Sequence, residues 1–166
     1  MEISKQTLSE NKAIAFKNKK ENATFFRQVA AKPTGRVDEA FQNLHEQVFA
    51  EVNCLECANC CKSLGPKLNS NDIRRISGVL RIKASEFDEK YLRLDEDHDY
   101  VFRIMPCVFL GEDNSCIIYE DRPRACREYP HTDQRRIHQI LDITLKNIET
   151  CPAVFEIVER LKKVKI

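Results

Sequence analysis

Hydrophobic residues at intervals of three and four predict that the first third of the chain is helical. Residues from about Leu8 to Ala31 are rich in Ala, Lys, Glu and Phe, and Lys32-Pro33-Thr34-Gly35 supplies a stop. A second helix follows, whose apolar stripe of about 15 residues should pack against another element. The stripe contains Val37, Ala40, Phe41, Leu44, Val48, Phe49 and Val52. His45 lies beside it and is interpreted as a boundary residue rather than a ligand.

Two shorter helices and a loop are predicted in the middle of the chain. Ser70-Asn71-Asp72-Ile73 resembles a helix start, and Gly78 interrupts the helix that follows. Ser85-Glu86-Phe87-Asp88 resembles a capping box that opens a second helix. The acidic stretch 95–99 is interpreted as a solvated loop, because it lacks the glycine turn and distal glutamate of a calcium loop.

The sequence of the last third of the chain predicts a small hairpin and two helices. Residues 100–110 are largely β-prone, Gly111-Glu112-Asp113-Asn114 supplies a turn, and Cys116-Ile117-Ile118-Tyr119 forms the second arm. Apolar residues between 137 and 148 suit a helix, and Pro152 is well placed at the first turn of the final one. The predicted fold class is therefore mainly α with a small β-hairpin, an irregular α+β fold.

Charge and composition narrow the classes of binding partner and the cellular location that we expect. The 166 residues include 27 Lys and Arg against 26 Asp and Glu, so nucleic acid is not an expected partner. No apolar stretch is long enough to cross a bilayer, and the polar start Met1-Glu2-Ile3-Ser4-Lys5 does not resemble an export signal. We therefore expect a cytoplasmic protein, in which clustered cysteines are metal ligands more often than disulfides.

Eight cysteines carry the candidate chemistry. Four of them, Cys54, Cys57, Cys60 and Cys61, lie within eight residues in the order Cys-x2-Cys-x2-Cys-Cys. The other four are Cys107, Cys116, Cys126 and Cys151. All eight are predicted metal ligands, and three arrangements stay open: two four-cysteine zinc sites, an iron–sulfur cluster with a second site, or one site of four to six ligands. The adjacency of Cys60 and Cys61 mildly favours two sites, because neighbouring side chains usually diverge.

Positive residues around Cys126 are candidates for balancing the charge of a metal centre. A zinc ion with four thiolates carries a net charge of about −2, which is costly to desolvate without nearby cations or amides. Arg122, Arg124 and Arg127 bracket Cys126, and the sequence favours Arg127 for this role. The alternative is that these arginines pair with neighbouring carboxylates on the surface.

These residues make the chain resemble a known family. The motifs are Cys54-x2-Cys57-x2-Cys60-Cys61, Pro106-Cys107-x-Phe109-Leu110, Cys116-x-Ile118-Tyr119, Arg122-Pro123-x2-Cys126-Arg127-x-Tyr129-Pro130 and Cys151-Pro152. Together they resemble the CxxCxxCC-type zinc- or iron-chelating family, the mostly bacterial YkgJ-like cysteine-cluster proteins. The resemblance implies a domain that binds zinc, iron or an iron–sulfur cluster, with no assigned reaction.

Domain organisation and function follow as expectations. Residues 1–52 are predicted to form a helical segment packed on a compact cysteine-cluster domain of residues 53–166. The first functional hypothesis is a metal-binding protein with a structural or metal-handling role. The second is an iron–sulfur protein with a redox or protein-modifying activity. The third is a zinc-finger-like adaptor that would bind a protein partner through residues 1–53, and whether a reaction is catalysed stays open.

Overall fold

The computed structural model describes residues 5–166, with side chains from residue 7 onward, and it is mainly helical with one small antiparallel sheet. This confirms the predicted fold class. The helices of the described chain are α1 (Lys5–Lys17), α2 (Lys19–Ala30), α3 (Thr34–Glu51), α4 (Cys54–Cys57), α5 (Asn59–Ser63), α6 (Ser70–Val79), α7 (Ala84–Tyr91), α8 (Arg124–Glu128), α9 (Leu141–Asn147) and α10 (Pro152–Leu161). The strands are β1 (Lys67–Leu68), β2 (Leu92–Leu94) and β3 (Tyr100–Phe102), and short 3₁₀ helices cover Tyr119–Asp121 and Ile137–Ile140.

Contacts within the chain divide it into two compact units. Unit 1 combines Met1–Cys57 with Pro130–Ile166, and unit 2 is the continuous segment Ala58–Tyr129. The domain boundary expected between residues 52 and 53 stays a prediction. No helix of the described chain is long and apolar enough to span a bilayer.

The core of unit 1 is built around α3 and α10. The predicted stripe of α3 is inside, with Val37, Phe41, Leu44 and Val48 buried. α10 begins with Pro152. Proline lacks an amide hydrogen, but an amide at the first position of a helix has no hydrogen-bond partner within the helix, so nothing is lost there. The inner face of α10 is buried against the same core through Val154, Ile157, Val158 and Leu161.

Two expectations for unit 1 can be compared directly with the structure. The single helix predicted over residues 8–31 is instead two helices, because Asn18 leaves helical geometry between α1 and α2 with φ −92° and ψ 12°. Asparagine competes with helical hydrogen bonds, which suits it to such a break. His45 is half-buried beside the core: its Nδ1 lies 2.7 Å from Thr132 Oγ1, and its ring stacks on Phe49 with centroids 4.3 Å apart.

Unit 2 combines the helices α5, α6, α7 and α8 and irregular segments with the three-stranded sheet. The strand order is β1-β3-β2, both pairs antiparallel, with Leu68 opposite Tyr100 and Leu92 opposite Phe102. Its core consists of Leu68, Ile76, Phe87, Leu92, Phe102, Phe109 and Ile118. Phe109 and Ile118 come from the segment that carries Cys107 and Cys116, so this small core fixes the backbone on which those thiols lie.

Two local expectations for unit 2 need correction. The capping box belongs to α6, where the Asn69 side chain accepts from the Asp72 amide and the Asp72 side chain accepts from the Asn69 amide; α7 starts after Lys83 without a side-chain cap. The predicted hairpin turn forms, but its arms meet only in an isolated bridge between Leu110 and Cys116. Longer pairing is absent because the second arm turns into a 3₁₀ helix at Tyr119.

Candidate metal centre

Four thiols of unit 2 lie on segments that the backbone ties together. Cys61 belongs to α5, and its carbonyl oxygen accepts a 2.9 Å hydrogen bond from the Cys107 amide. Cys107 follows the cis peptide bond between Met105 and Pro106. Cys116 lies in the bridge with Leu110, and Cys126 is in the middle of α8. We call Cys61, Cys107, Cys116 and Cys126 the unit 2 thiols.

The pKa values show that the unit 2 thiols lie within electrostatic reach of one another. Burial, followed by the negative charges of Cys61, Cys107 and Cys116, raises the pKa of Cys126 to about 12. Burial also raises the pKa of Cys107 and of Cys116, and the Cys61 charge adds to both effects. Four thiols from distant parts of the sequence therefore lie in one compact unit and influence the pKa values within it.

Cys61 behaves differently from its three neighbours. Its pKa is lowered from 9.0 to about 7, first by a hydrogen bond with the Cys60 thiol and then, against the effect of burial, by the charges of Arg122 and Lys62. The Cys60 and Cys61 sulfurs are 3.9 Å apart, so these adjacent side chains stay in contact. Because the thiolate is the form that ligates a metal, Cys61 is the unit 2 thiol best prepared for ligation near neutral pH.

Arg122 is the cation that acts on these thiols. Its charge lowers the pKa of Cys61, Cys116 and Cys126, in each case after larger effects. Its guanidinium carbon lies 3.9 Å from the centroid of the Tyr119 ring, which holds the side chain in place. The sequence favours Arg127, but that side chain is exposed. Arg124 pairs with Glu128 in the same helix, which is the surface pairing considered as the alternative.

Asp72 and Arg75 are neighbours of this region that sequence reasoning missed. The pattern identifies Asp72 only as part of a helix start, yet its side chain also accepts from the backbone amide of Arg124, two residues before Cys126. Arg75 donates to the carbonyl oxygen of Arg122. An Asp and an Arg three positions apart on a helix are a common surface pair; the signal that distinguishes them is burial, since Asp72 is 1 % exposed.

The remaining thiols of the prediction divide between the units. Cys60 is in α5 of unit 2; Cys54 and Cys57 are at the two ends of the single-turn α4, and Cys151 is the N-cap residue of α10, all three in unit 1. Burial raises the pKa of Cys151 to about 11, and the Cys54 and Cys57 charges contribute to this increase. The backbone amides of Val154 and Ala153 lower it. The expected stabilisation of a thiolate at this helix start is therefore present, but burial outweighs it.

The unit 2 thiols fit a zinc or iron ion in the chemistry of their donors. Four thiols in one unit supply a complete tetrahedral set, and Arg122 provides positive charge beside them. Among residues 7–166, no group of three or more Cys, His, Asp or Glu side chains is already arranged as a metal site. Metal binding at the unit 2 thiols therefore requires their side chains to close in from the positions seen here.

Comparisons with known proteins identify a family whose model covers the cysteine-bearing part of the chain. Residues 53–152 match the model of the CxxCxxCC family, described as a "putative zinc- or iron-chelating domain". An uncharacterized protein of Methanocaldococcus jannaschii, MJ0661, is 30% identical over 89 residues, which cover 51% of this chain and 47% of that protein. The match thus spans about half the length of the relative. No solved structure matches the chain.

Proposed function

Because the chain belongs to the CxxCxxCC family of zinc- or iron-chelating domains, we propose that it binds a zinc or iron ion through the unit 2 thiols. The family supports a metal-binding role. The assignment of Cys61, Cys107, Cys116 and Cys126 as one centre is our proposal. The observation that supports it is that all four thiols belong to unit 2, where the Cys107 amide binds the Cys61 carbonyl oxygen at 2.9 Å; the raised pKa of Cys126, to which the other three thiols contribute, agrees with this.

The role we propose for this centre is structural. Four thiolates leave no open position on a tetrahedral ion, which is the arrangement of closed zinc sites, and such an ion cross-links the segments that hold its ligands. Here it would join α5, the loop at Cys107, the bridge at Cys116 and α8. These segments have little regular structure of their own, so a cross-link between them would contribute directly to the stability of unit 2.

Protein residues prepare the centre for the ion. Cys61 already favours the thiolate near neutral pH, whereas the pKa of Cys126 is about 12, so Cys126 must lose a proton when it becomes a ligand. The positive charge of Arg122 favours the deprotonated forms of Cys61, Cys116 and Cys126. Binding is therefore expected to release protons and to weaken as the pH falls.

Metal analysis of anaerobically prepared protein tests the proposal. We expect the wild-type chain to contain zinc or iron, and Cys126→Ser to lose the metal of unit 2 together with thermal stability. Cys151→Ser is the matched control, because Cys151 is half-buried like Cys126 but lies in unit 1. Wild-type metal content in Cys126→Ser, or loss of all metal in both variants, would contradict a centre confined to the unit 2 thiols.

An iron–sulfur cluster is the second candidate, supported by the thiols of unit 1. The charges of Cys54 and Cys57 contribute to the raised pKa of Cys151, and Cys151 precedes Pro152 as in the final Cys-Pro of some ferredoxins. A brown anaerobic preparation with acid-labile sulfide and a Cys151-dependent visible absorption would support this candidate. Colourless protein with zinc alone would exclude it.

The adaptor hypothesis and the cytoplasmic location stay predictions. Residues 7–51 contribute buried side chains to the core of unit 1, and they also expose apolar side chains, with Phe16 71% and Ile14 43% exposed. A comparison of proteins captured by the wild-type chain and by Phe16→Ser would test whether a partner binds there. Equal capture by both chains would count against that surface.

A further inference from the structure

An ion pair with a buried carboxylate lies beside the start of the helix that carries Cys126. The Asp72 side chain is only 2% exposed, and its Oδ1 accepts a 2.8 Å hydrogen bond from Arg75 Nη2. Its other oxygen, Oδ2, accepts from the Asn69 amide at 3.2 Å as part of the α6 capping box. A buried carboxylate is costly unless paired and hydrogen-bonded, and Asp72 satisfies both conditions.

Both members of this pair bind the backbone of the segment before Cys126. Arg75 Nη2 donates to the carbonyl oxygens of Arg122, at 2.9 Å, and Asp121, at 3.3 Å. Asp72 Oδ1 also accepts from the Arg124 amide at 3.1 Å. The pair therefore contacts three successive peptide units around Pro123, and it caps the first amide of α8 from another helix.

The bonded segment carries two groups of the proposed centre. Arg122 supplies the positive charge beside the thiols, and Cys126 follows in the first turn of α8, where its amide donates to the Pro123 carbonyl at 2.9 Å. α8 has only five residues and no side-chain cap from its own N-cap residue, so local sequence stabilises it weakly. The contacts with Asp72 and Arg75 replace that missing support.

We infer that Asp72 and Arg75 are positioning residues for the metal centre, which hold the Asp121–Cys126 segment so that Cys126 and Arg122 face the other thiols. This inference rests on the proposed function. Outer partners that orient ligands typically change metal affinity 10- to 100-fold when they are removed. Asp72 and Arg75 are expected to have an effect of that size although neither contributes a sulfur.

Zinc affinity of single variants tests the inference. Asp72→Asn and Arg75→Gln should each weaken zinc binding roughly 10- to 100-fold, measured by competition with a chromophoric chelator. Asp99→Asn is the matched control, because Asp99 forms a 2.7 Å ion pair with Lys67 in the same unit and should bind zinc like the wild type. Wild-type affinity in both test variants would overturn the inference.

Further measurements separate positioning from a general loss of stability. With cobalt in place of zinc, the thiolate-to-metal absorption per bound ion should fall in Asp72→Asn, since Cys126 leaves the ligand set; an unchanged spectrum would indicate a merely structural role and refute positioning. Because the two residues form one network, the double variant should lose little more affinity than the weaker-binding single variant. Additive losses would contradict a shared action.

A milder variant tests the inference if Arg75→Gln does not fold, and the wild-type result separates failure of the inference from failure of the proposed function. If Arg75→Gln does not fold, Arg75→Lys retains the charge beside Asp72 but lacks the fork that reaches two carbonyl oxygens, and it should still bind zinc at least several-fold more weakly. Wild-type affinity in Arg75→Lys would then refute the inference. A wild-type chain that binds neither zinc nor iron refutes the proposed function itself, and the inference with it.

Discussion

The contrast between Cys61 and Cys126 predicts a large difference in thiol reactivity once metal has been removed with a chelator. The pKa of Cys61 is about 7 and that of Cys126 about 12. At pH 8, roughly nine tenths of Cys61 but only about one part in 10,000 of Cys126 is thiolate. A pH titration therefore separates two thiols that belong to one proposed centre.

The expected ratio of rates follows from these populations. For thiol–disulfide exchange, the nucleophilicity of a thiolate rises with the pKa of its thiol, with a coefficient of about 0.4–0.5. The Cys126 thiolate is therefore roughly 100 to 300 times more reactive than the Cys61 thiolate, which offsets part of the difference in population. The net prediction is that Cys61 reacts roughly 30- to 90-fold faster than Cys126 at pH 8.

A matched pair of variants tests the cause of the difference. Chelator-treated protein is reacted with a small disulfide reagent between pH 5.5 and 10, and each site is followed by peptide mass spectrometry. Arg122→Gln should move the midpoint of the Cys61 reaction to higher pH, because a positive charge that stabilises its thiolate is gone. Arg127→Gln removes an exposed charge from the same segment and should not. Similar rates for Cys61 and Cys126, or equal midpoints in the two variants, would refute the reasoning.

Three further predictions concern stability and are checked by thermal or denaturant unfolding. Gly78→Ala should stabilise the protein by about 1 kcal/mol, since a Cβ at this position of α6 meets nothing within 4 Å. Arg81→Gly should stabilise it by about 1 kcal/mol because Arg81 has φ 57° directly after the α6 C-cap, whereas Arg74→Gly, inside α6, should destabilise it by a similar amount. Phe41→Ala should cost about 3–5 kcal/mol, because Phe41 is fully buried in unit 1. An effect of opposite sign in any of these variants would contradict the packing or backbone geometry described for that position.

Elements whose signals are local were predictable from the sequence. The α3 stripe repeats at helical spacing over many residues, so the inner face of α3 is predictable, and Pro152 marks the start of α10. The helix expected from residues 8 to 31 failed at Asn18, where one residue changes the backbone without changing the composition around it. The hairpin at Cys116 was overestimated because β-prone residues follow the turn but continue into a 3₁₀ helix.

The candidate site was predictable in its residue types more than in its arrangement. Spacing identifies the cysteines as a group, but it does not show that Cys61, Cys107, Cys116 and Cys126 belong to one compact unit, since that depends on contacts between residues far apart along the chain. The sequence does not distinguish the exposed Arg127 from Arg122, which acts on the thiols, because the direction of a side chain in or beside a five-residue helix depends on its surroundings. Asp72 could not be recognised, because its bond to the Arg124 amide spans 52 positions.

The division of the chain has a consequence for the order of events during synthesis. Unit 2 is continuous, so all of it has been made once residue 129 leaves the ribosome, whereas unit 1 lacks α10 until much later. Glu51 and Arg160, which form a two-bond ion pair in unit 1, are 109 positions apart. A folded unit 2 shortens that loop and reduces the entropy lost when α10 reaches α3. The nascent chain therefore exposes the apolar stripe of α3 for most of its translation, and prompt folding of unit 2 limits the time available for aggregation afterwards.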